Sequence, residues 1–284
     1  MCIRDSHIGI SQSYSDPKLI SEIAYQAEIS GWDGFFVTDS LYGSRESVPV
    51  CDPWVALSAI AVKTKKIKIG PMICAIPRRR PWKLARETVS LDVLSEGRLI
   101  LGVGLGSPAK EDFDRFGEDP DNRKRADKLD ESLEILVGLW SGKPFSYNGD
   151  IFKIQESIFL PKPIQNPRIP IWVAGEWPNK RPFRRAAIWD GVYPIYDAGN
   201  NEPGLTPEIL EVIVKDMKSR RVSGGDFDVV VEGKTPNNDK IKTTDIINAY
   251  HDVGATWWLE WIFPARGTLE QNLDRIKEGP PILK

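Results

Sequence analysis

The side chains that enzymes use for acid–base and nucleophilic chemistry are scarce in this chain of 284 residues. It contains two histidines, His7 and His251, and three widely spaced cysteines, Cys2, Cys51 and Cys74, with no CxxC pair. The GxSxG motif of serine hydrolases is absent. This inventory argues against a disulfide framework, a zinc site and a nucleophile activated by histidine. We therefore expect no metal, and a metal-dependent hydrolase ranks last among the functions considered.

Aromatic residues are plentiful near the predicted ends of strands. They are Trp177, Tyr193, Tyr196, Trp257, Trp258 and Trp261. A site that is rich in aromatic rings and poor in acid–base groups suits a flat cofactor that brings its own chemistry. The alternative is that several of these rings fill the core, since of two neighbours on a strand one faces inward and one outward.

Two turns have the composition of a ligand-binding backbone. Gly102, Gly104 and Gly106 close a predicted strand, and glycine permits close approach to a ligand or a positive φ. The match to the dinucleotide fingerprint GxGxxG is weak, and a tight turn explains these glycines equally well. The second turn, 174–178, leads into a helix at Lys180, where free N–H groups would bind phosphate. A solvated helix start is the alternative there.

The balance of charge restricts the possible partners. Lys and Arg number 38 against 40 Asp and Glu, a net charge of −2, which argues against a nucleic-acid surface. With no apolar run long enough to span a bilayer and no signal-peptide pattern, we expect no membrane partner and a cytoplasmic location. The one dense basic cluster, Arg78–Arg80, could contact a cofactor phosphate or an acidic substrate. Pairing with nearby Asp and Glu is the preferred interpretation.

Short apolar runs alternate with amphipathic helical segments along the chain. The predicted strands are His7–Ile10, Gly34–Thr38, Lys66–Ile73, Arg98–Gly104, Ile169–Ala174, Gly191–Ile195, Phe227–Val231 and Thr256–Trp261. A helix follows each strand, and four helices have clear start signals at Asp16-Pro17, Asp52-Pro53, Thr206-Pro207 and Thr268 with Gln271. Between strands 4 and 5 we predict an inserted helix over Asn122–Ser141 and a β-hairpin with a type I′ turn at Asn148-Gly149.

Eight strand–helix units predict an α/β fold of the (β/α)8 TIM-barrel type, with its active site at the carboxyl ends of the strands. A doubly wound open sheet is disfavoured because the first turn, Ser11–Ser15, lacks a phosphate-binding glycine. We expect a single domain over residues 7–284 and interpret residues 1–6 as a non-native N-terminal extension. The predicted strand ends place these residues at the rim: Ser11, Asp39, Ser40, Ile73, Cys74, Gly104–Ser107, Gly175–Trp177, Tyr193–Tyr196, Glu232, Glu260 and Trp261.

Five segments resemble the bacterial luciferase-like family of flavin-dependent oxidoreductases, the luciferase-like monooxygenases, and the resemblance covers nearly the whole chain. They are GWDGFFVTD (31–39), PRRRPWKLARE (77–87), LDVLSEGRLILGVG (91–104), IPIWVAG (169–175) and WDGV (189–192). The resemblance implies a (β/α)8 barrel that binds reduced flavin mononucleotide (FMN) or the 8-hydroxy-5-deazaflavin coenzyme.

The resemblance also implies site residues. The ring of relatives commonly rests against a bulge after strand three, often with a non-prolyl cis peptide, and the bulge maps to Met72-Ile73-Cys74. The phosphate turn maps to Gly175–Trp177, and Asp39 matches an acidic position near the ring. The expected cofactor-binding residues are Asp39, Met72, Ile73, Cys74, Gly104, Gly106, Ala174, Gly175, Glu176 and Trp177.

The catalytic residue is unassigned at this point, with Asp39, Ser40 and Cys74 as candidates. Many deazaflavin-dependent members have a proton-transferring histidine directly after that Asp, whereas this chain has Ser40. The difference speaks against dehydrogenase chemistry with a histidine base, but not against binding of deazaflavin.

The leading functional hypothesis is a monooxygenase that uses reduced FMN, supplied by a separate flavin reductase, and oxygen on a small organic substrate. A deazaflavin-dependent hydride-transfer enzyme is the first alternative, and a non-catalytic cofactor-binding barrel is the second. Relatives commonly dimerise through barrel helices, so the resemblance implies a homodimer.

Overall fold

Strands and helices alternate along the chain in the computed structural model, which describes residues 2–4, 14–41, 48–197, 204–221 and 225–281. The strands are β1 (Cys2–Arg4), β2 (Gly34–Val37), β3 (Lys68–Pro71), β4 (Cys74–Ala75), β5 (Leu101–Gly104), β6 (Phe145–Asn148), β7 (Lys153–Ser157), β8 (Ile171–Glu176), β9 (Gly191–Ile195), β10 (Asp228–Gly233) and β11 (Trp257–Trp261). The α-helices are α1 (Pro17–Ile29), α2 (Pro53–Lys63), α3 (Pro81–Leu94), α4 (Ala109–Asp112), α5 (Asn122–Trp140), α6 (Lys180–Ala186), α7 (Pro207–Arg220), α8 (Lys240–Asp252) and α9 (Leu269–Lys277).

The helix start signals of the sequence act as predicted. Asp16 accepts a hydrogen bond from the Lys18 N–H at 2.8 Å, and Asp52 accepts from the Trp54 N–H at 2.9 Å. Thr268 and Gln271 form a reciprocal capping box, with bonds of 2.9 and 3.2 Å. These side chains satisfy backbone donors that the first helical turn leaves without partners. The boundaries of the helices therefore follow from local chemistry.

The strands form a curled parallel sheet in the order β3-β2-β1-β11-β10-β9-β8-β5-β4. Between β3 and β4 the chain is interrupted at Met72–Ile73, whose peptide bond is cis. Below this interruption β3 bonds to the segment that leads into β5, since the Ile69 N–H donates to Arg98 O and the Ile100 N–H donates to Ile69 O, at 3.0 and 2.9 Å. Above it, β4 pairs with β5 directly. The two terminal strands of the sheet, β3 and β4, thus both bond to the segment 98–104, which contains β5.

The amino-terminal strand differs from the prediction. Cys2–Arg4 pairs in parallel with both β2 and β11, inside the six residues that the sequence analysis set aside. Three residues are too few for a periodic signal, so the pattern could not reveal this strand. The predicted strand His7–Ile10 lies outside the described residues, and the domain boundary at residue 7 stays a prediction.

The connection from β5 to β8 contains α4, α5 and the antiparallel pair β6–β7. Helix α5 packs on α3, where Trp140 Nε1 donates to Thr88 Oγ1 at 3.1 Å, so it takes the place of a crossover helix between two parallel strands. The type I′ turn is wrong: Asn148 pairs with Lys153 across a four-residue loop. Glu131 of α5 accepts hydrogen bonds from three N–H groups of that loop at 2.8 to 3.0 Å, which fixes a wider turn.

The interior of the curled sheet is filled by large side chains from successive strands. They are Phe36, Met72, Ile100, Trp172, Ala174, Tyr193, Val230 and Leu259. At the amino ends of the strands, Asp228 accepts hydrogen bonds from Trp172 Nε1, Trp257 Nε1 and Thr256 Oγ1 at 2.9 to 3.0 Å. The Asp228 carboxylate thus holds the indoles of Trp172 and Trp257 in place at the amino ends of the strands. In the described parts of the chain, no helix has the length and apolar character needed to cross a membrane.

Candidate functional site

Three predicted cofactor-binding residues come together on the inner face of the sheet, at its carboxyl end. A Cβ atom on Gly104 would lie 3.1 Å from Ile73 Cδ1 and 3.6 Å from the Ala174 Cβ, so the three positions are in contact. Ile73 is partly exposed, and it packs on the interior cluster that contains Ala174 and Phe36. We call Ile73, Gly104 and Ala174 the platform. It is a smooth apolar patch at the point where strand three is interrupted.

The glycines near the platform have packing roles that the sequence pattern did not reveal. A Cβ on Gly102 would lie 2.8 Å from Met72 Sδ, so that glycine makes room for the buried methionine. Gly106 has φ of 84° and lies against Ala75 and Phe113, where a Cβ would come within 2.8 to 2.9 Å. The prediction of a tight strand-to-loop turn therefore fits Gly106. Only Gly104 lies on the platform.

The loop after β2 carries the most charged part of the site. The carboxylate of Asp39 accepts hydrogen bonds from Arg78, from Arg79 at 2.8 Å and from the Ala75 N–H at 3.2 Å. Arg78 also pairs with Asp112 of α4 at 2.6 Å. We call these residues, Asp39, Arg78, Arg79 and Asp112, the Asp39 cluster. For Arg78 and Arg79 it confirms the interpretation that the basic cluster pairs with carboxylates.

Burial and the arginines act on the pKa of Asp39 in opposite directions. Burial raises this pKa, but the neighbouring guanidinium groups of Arg79 and Arg78 outweigh burial and hold the pKa below its usual value. For Asp112, burial outweighs Arg78 and raises the pKa. Asp39 is therefore a fixed anion at neutral pH, suited to positioning and not to proton transfer.

Cys74 and Ser40, the other two catalytic candidates, adjoin the same cluster. Burial, followed by smaller effects that include Asp39, raises the pKa of the fully buried Cys74 thiol far above its usual value. A protonated, enclosed thiol is a poor nucleophile. Ser40 instead lines a cavity of about 400 Å³. This cavity lies beside the Asp39 cluster and is also bordered by Cys51, Asp52, Phe116 and Glu118.

The predicted phosphate turn is partly engaged in contacts within the protein. The Trp177 N–H donates to Ile195 O at 2.8 Å, and the indole packs edge-on against Phe183 with 5.1 Å between ring centroids. A Cβ on Gly175 would lie 2.4 Å from Pro182 Cβ, so this glycine lets α6 approach β8. Arg181 pairs with Asp127 and Asp130 on α5. Of the turn, Glu176 is exposed.

Glu232, at the end of β10, is a site residue that the sequence indicated only through its place among the strand ends. Its side chain lies on the same face of β10 as Val230, which belongs to the interior cluster, and it is half-buried. Burial raises the pKa of Glu232 to about 7, and the neighbouring Trp261 lowers it by less. The raised pKa depends on tertiary surroundings, so sequence alone could not show it.

The described residues contain no group of three or more His, Cys, Asp or Glu side chains that could hold a metal ion. The chemistry available at the carboxyl ends of the strands therefore consists of an apolar platform, a neutral cluster of paired charges and one buried carboxyl that titrates near neutrality.

Comparison with known proteins identifies relatives with two kinds of cofactor. Residues 3–231 match the family described as luciferase-like monooxygenase. The oxygenase component of a flavin-dependent trigonelline monooxygenase from Acinetobacter baylyi is 31% identical over 132 residues, 46% of this chain and 36% of that protein. An F420-dependent glucose-6-phosphate dehydrogenase from Amycolatopsis mediterranei is 28% identical over 221 residues, 77% of this chain and 65% of that protein. The matches thus span less than two thirds of either relative's length.

A solved structure with the same fold is that of an F420-dependent secondary alcohol dehydrogenase in complex with an F420–acetone adduct. It superposes with a TM-score of 0.78 at 18% sequence identity, over 100% of this chain and 99% of the other. At this level of identity the likeness concerns the fold, which is that of a curled parallel sheet surrounded by helices.

Proposed function

Because the chain belongs to the luciferase-like monooxygenase family, we propose that it is a flavin-dependent oxidoreductase and that it acts as a monooxygenase with reduced FMN and oxygen on a small organic substrate. Its fold is then a complete (β/α)8 barrel with the β6–β7 hairpin inserted before the fifth strand, in a homodimer served by a separate flavin reductase. The observation that carries the proposal is the platform.

The platform fits one face of a planar ring system. Ile73 offers a partly exposed apolar side chain, Ala174 a single methyl group, and Gly104 no side chain at all, so a flat ring can approach the backbone there. The large side chains beneath leave little room for a ligand to go deeper. A flavin bound on this surface would supply the redox chemistry, while the protein orients it and excludes water.

The charged residues of the site then have positioning roles. Asp39 and Asp112, paired with Arg78 and Arg79, hold the loop after β2 against the segment before α3 without adding net charge. For the phosphate we propose contacts with Gly175 and Glu176 but not with the Trp177 N–H, since that group is already bonded to Ile195 O. Cys74 takes no catalytic part in this proposal.

A deazaflavin-dependent hydride-transfer reaction is the second candidate. One specific observation favours it: the F420-dependent dehydrogenase matches 77% of the chain, whereas the flavin-dependent monooxygenase matches 46%. Against it stands Ser40, which replaces the histidine that many deazaflavin-dependent members carry there.

Titration of the purified protein with each cofactor tests the proposal. We expect oxidised FMN to bind, and the photoreduced complex to consume oxygen faster than free reduced FMN when a substrate is present. The variant Ile73→Ala should weaken FMN binding about tenfold, because apolar contact worth roughly 1–2 kcal/mol is lost. The control is Ile188→Ala, which removes the same atoms from a side chain that is 75% exposed at the end of α6.

Two outcomes would contradict the proposal in different ways. Tight binding of the deazaflavin alone, without oxygen consumption, would replace the monooxygenase by the hydride-transfer enzyme. Binding of neither cofactor, or equal FMN affinities for Ile73→Ala and Ile188→Ala, would remove the platform as the ring site.

A further inference from the structure

We propose that Glu232 is the proton-transfer group of this enzyme and that its carboxyl faces the cofactor ring and substrate bound at the carboxyl ends of the strands. The inference rests on the proposed function, since it concerns the same site. It does not depend on whether the ring is a flavin or a deazaflavin.

The position of Glu232 follows from the pairing of β10 with its two neighbours. Along β10, Val230 and Glu232 lie on the same face, and Val230 is completely buried in the interior cluster. On β11, Leu259 and Trp261 share that face, with Leu259 in the same cluster. Because side chains alternate along each strand, Glu232 and Trp261 both lie on the inner face of the sheet. Glu232 is thus one layer above the packed interior, at the level of the platform.

The groups around Glu232 leave its carboxyl able to change protonation state. On β11 its neighbour Trp261 is not titratable, and Glu260 points to the opposite face, towards Arg266 and Arg275. On β9 the titratable side chain of the inner face is Tyr193, which is almost completely buried. Burial is the main influence on the pKa of Glu232, whereas at Asp39 two arginines reverse the effect of burial. Of the two carboxyls, Glu232 alone can therefore gain and lose a proton near pH 7.

The chemistry that follows is one proton transfer without electron transfer. In the hydride-transfer alternative, an oxidised deazaflavin would take the hydride from the carbinol C–H bond, and the O–H proton would pass to a Glu232 carboxylate oxygen. The O–H bond of the substrate breaks, and an O–H bond on Glu232 forms. In the reverse direction the protonated Glu232 returns the proton to the oxygen of the alcohol, and in an oxygenation it would donate its proton to an oxygen atom of the reaction and take one back from solvent. A carboxyl with a pKa near the working pH can serve both directions.

The test measures the affinity for oxidised FMN between pH 5.5 and 8.5 in the wild type, in Glu232→Gln and in Glu156→Gln. Glu156 is an exposed residue of β7, so Glu156→Gln is a matched control for loss of a carboxylate. A bound ring removes solvent from Glu232 and so favours its neutral form, and FMN should bind less tightly as the pH rises through 7. We expect the dissociation constant of the wild type and of Glu156→Gln to rise up to about tenfold over this range relative to that of Glu232→Gln. Because the FMN phosphate also titrates near pH 6, the effect is read as the difference between variants.

A second readout follows the carboxyl itself. Difference infrared spectra of the wild type should show a protonated carboxyl band that disappears with an apparent pKa near 7, and the band should be missing in Glu232→Gln. If FMN binds but Glu232→Gln retains the pH dependence of the wild type, Glu232 is not in contact with the ring site and the inference fails. If FMN and the deazaflavin bind to no form of the protein, the proposed function fails instead.

Discussion

Two strand-end carboxylates, each held by two arginines, occupy different surroundings in this molecule. Asp39 follows β2 and pairs with Arg78 and Arg79 next to a cavity of about 400 Å³. Glu260 ends β11 and is completely buried, and it pairs with Arg266 at 2.5 Å and Arg275 at 3.6 Å. We call the latter three residues the Glu260 cluster.

The difference lies in what completes each set of hydrogen bonds. Glu260 also accepts from the Thr235 N–H and Oγ1 and from Trp258 Nε1, at 2.8 to 3.0 Å, so its carboxylate is satisfied within the protein. In the Asp39 cluster, Arg78 divides its hydrogen bonds between Asp39 and Asp112. This cluster borders a cavity that a ligand can enter. Paired carboxylate and guanidinium groups therefore hold two loops together in the Glu260 cluster, whereas in the Asp39 cluster they form the wall of the proposed binding site. Charge pairing alone does not distinguish the two.

The largest expected effect is the loss of stability when the Glu260 cluster is broken. Glu260→Gln leaves the buried guanidinium of Arg266 without its anion and that of Arg275 with only Glu278 at 3.9 Å, and the free energy of unfolding should fall by about 3–5 kcal/mol. Urea denaturation at pH 7 measures this, with Glu156→Gln as the exposed control. A loss below about 1 kcal/mol would mean that the cluster does not fasten the loops after β10 and β11.

Asp39→Asn should have a smaller effect that depends on pH. At pH 7 we expect a loss of about 2–3 kcal/mol, because Asp112 still neutralises Arg78. Since the pKa of Asp39 is lowered in the folded state, its stabilisation is present above the unfolded value of about 3.9 and is lost as the pH falls through the folded value. The stabilities of wild type and variant should thus begin to converge below about pH 4 and become equal once the pH is below the folded pKa of Asp39. The exposed Asp245→Asn is the control, and a difference that persists in acid would contradict the assignment.

The variant Arg79→Lys tests whether water from the cavity reaches the Asp39 cluster. Lysine keeps the charge but cannot reproduce the hydrogen bonds from Nε and Nη2 to the carboxylate, and water from the cavity can complete them. The expected loss is about 1 kcal/mol, measured by thermal unfolding against the exposed Arg123→Lys. The equivalent change Arg275→Lys, in the enclosed cluster, should cost more. Equal losses of stability for Arg79→Lys and Arg275→Lys would mean that the two clusters do not differ in access to water.

The most local effect is expected from ligand binding. Saturating FMN should slow amide hydrogen exchange in residues 72–79, which form the wall of the proposed site, and leave residues 266–275 unchanged. Peptide-resolved exchange measured by mass spectrometry distinguishes the two regions. Protection of residues 266–275 alone would place the ligand on the wrong side of the sheet.

Features that depend on neighbouring residues could be predicted from the sequence. Caps such as Asp52 and the Thr268–Gln271 box need partners within three residues, so their chemistry is visible in the sequence. The alternation of strands and helices is equally local, and it was enough to predict the class of fold. The interruption at Met72–Ile73 came only from the family resemblance.

Features that depend on distant residues could not be predicted. Arg78 selects Asp39 and Asp112, which are 39 and 34 residues away, and no periodicity indicates that choice. The Trp177 N–H, expected to be available to a phosphate, bonds instead to Ile195 on the next strand. The Asn148-Gly149 turn widened because Glu131, on another element, supplied acceptors to the loop.

The anchoring of two indoles by Asp228 has an optical consequence. Trp172 and Trp257 are held with ring centroids 5.1 Å apart, and Trp172 lies two residues before Ala174 on the same face of β8, about 7 Å from the platform. Flavins absorb where indoles emit, so a flavin on the platform would quench the fluorescence of this pair through energy transfer. The fluorescence of Trp172 and Trp257 would therefore report whether a flavin is bound on the platform.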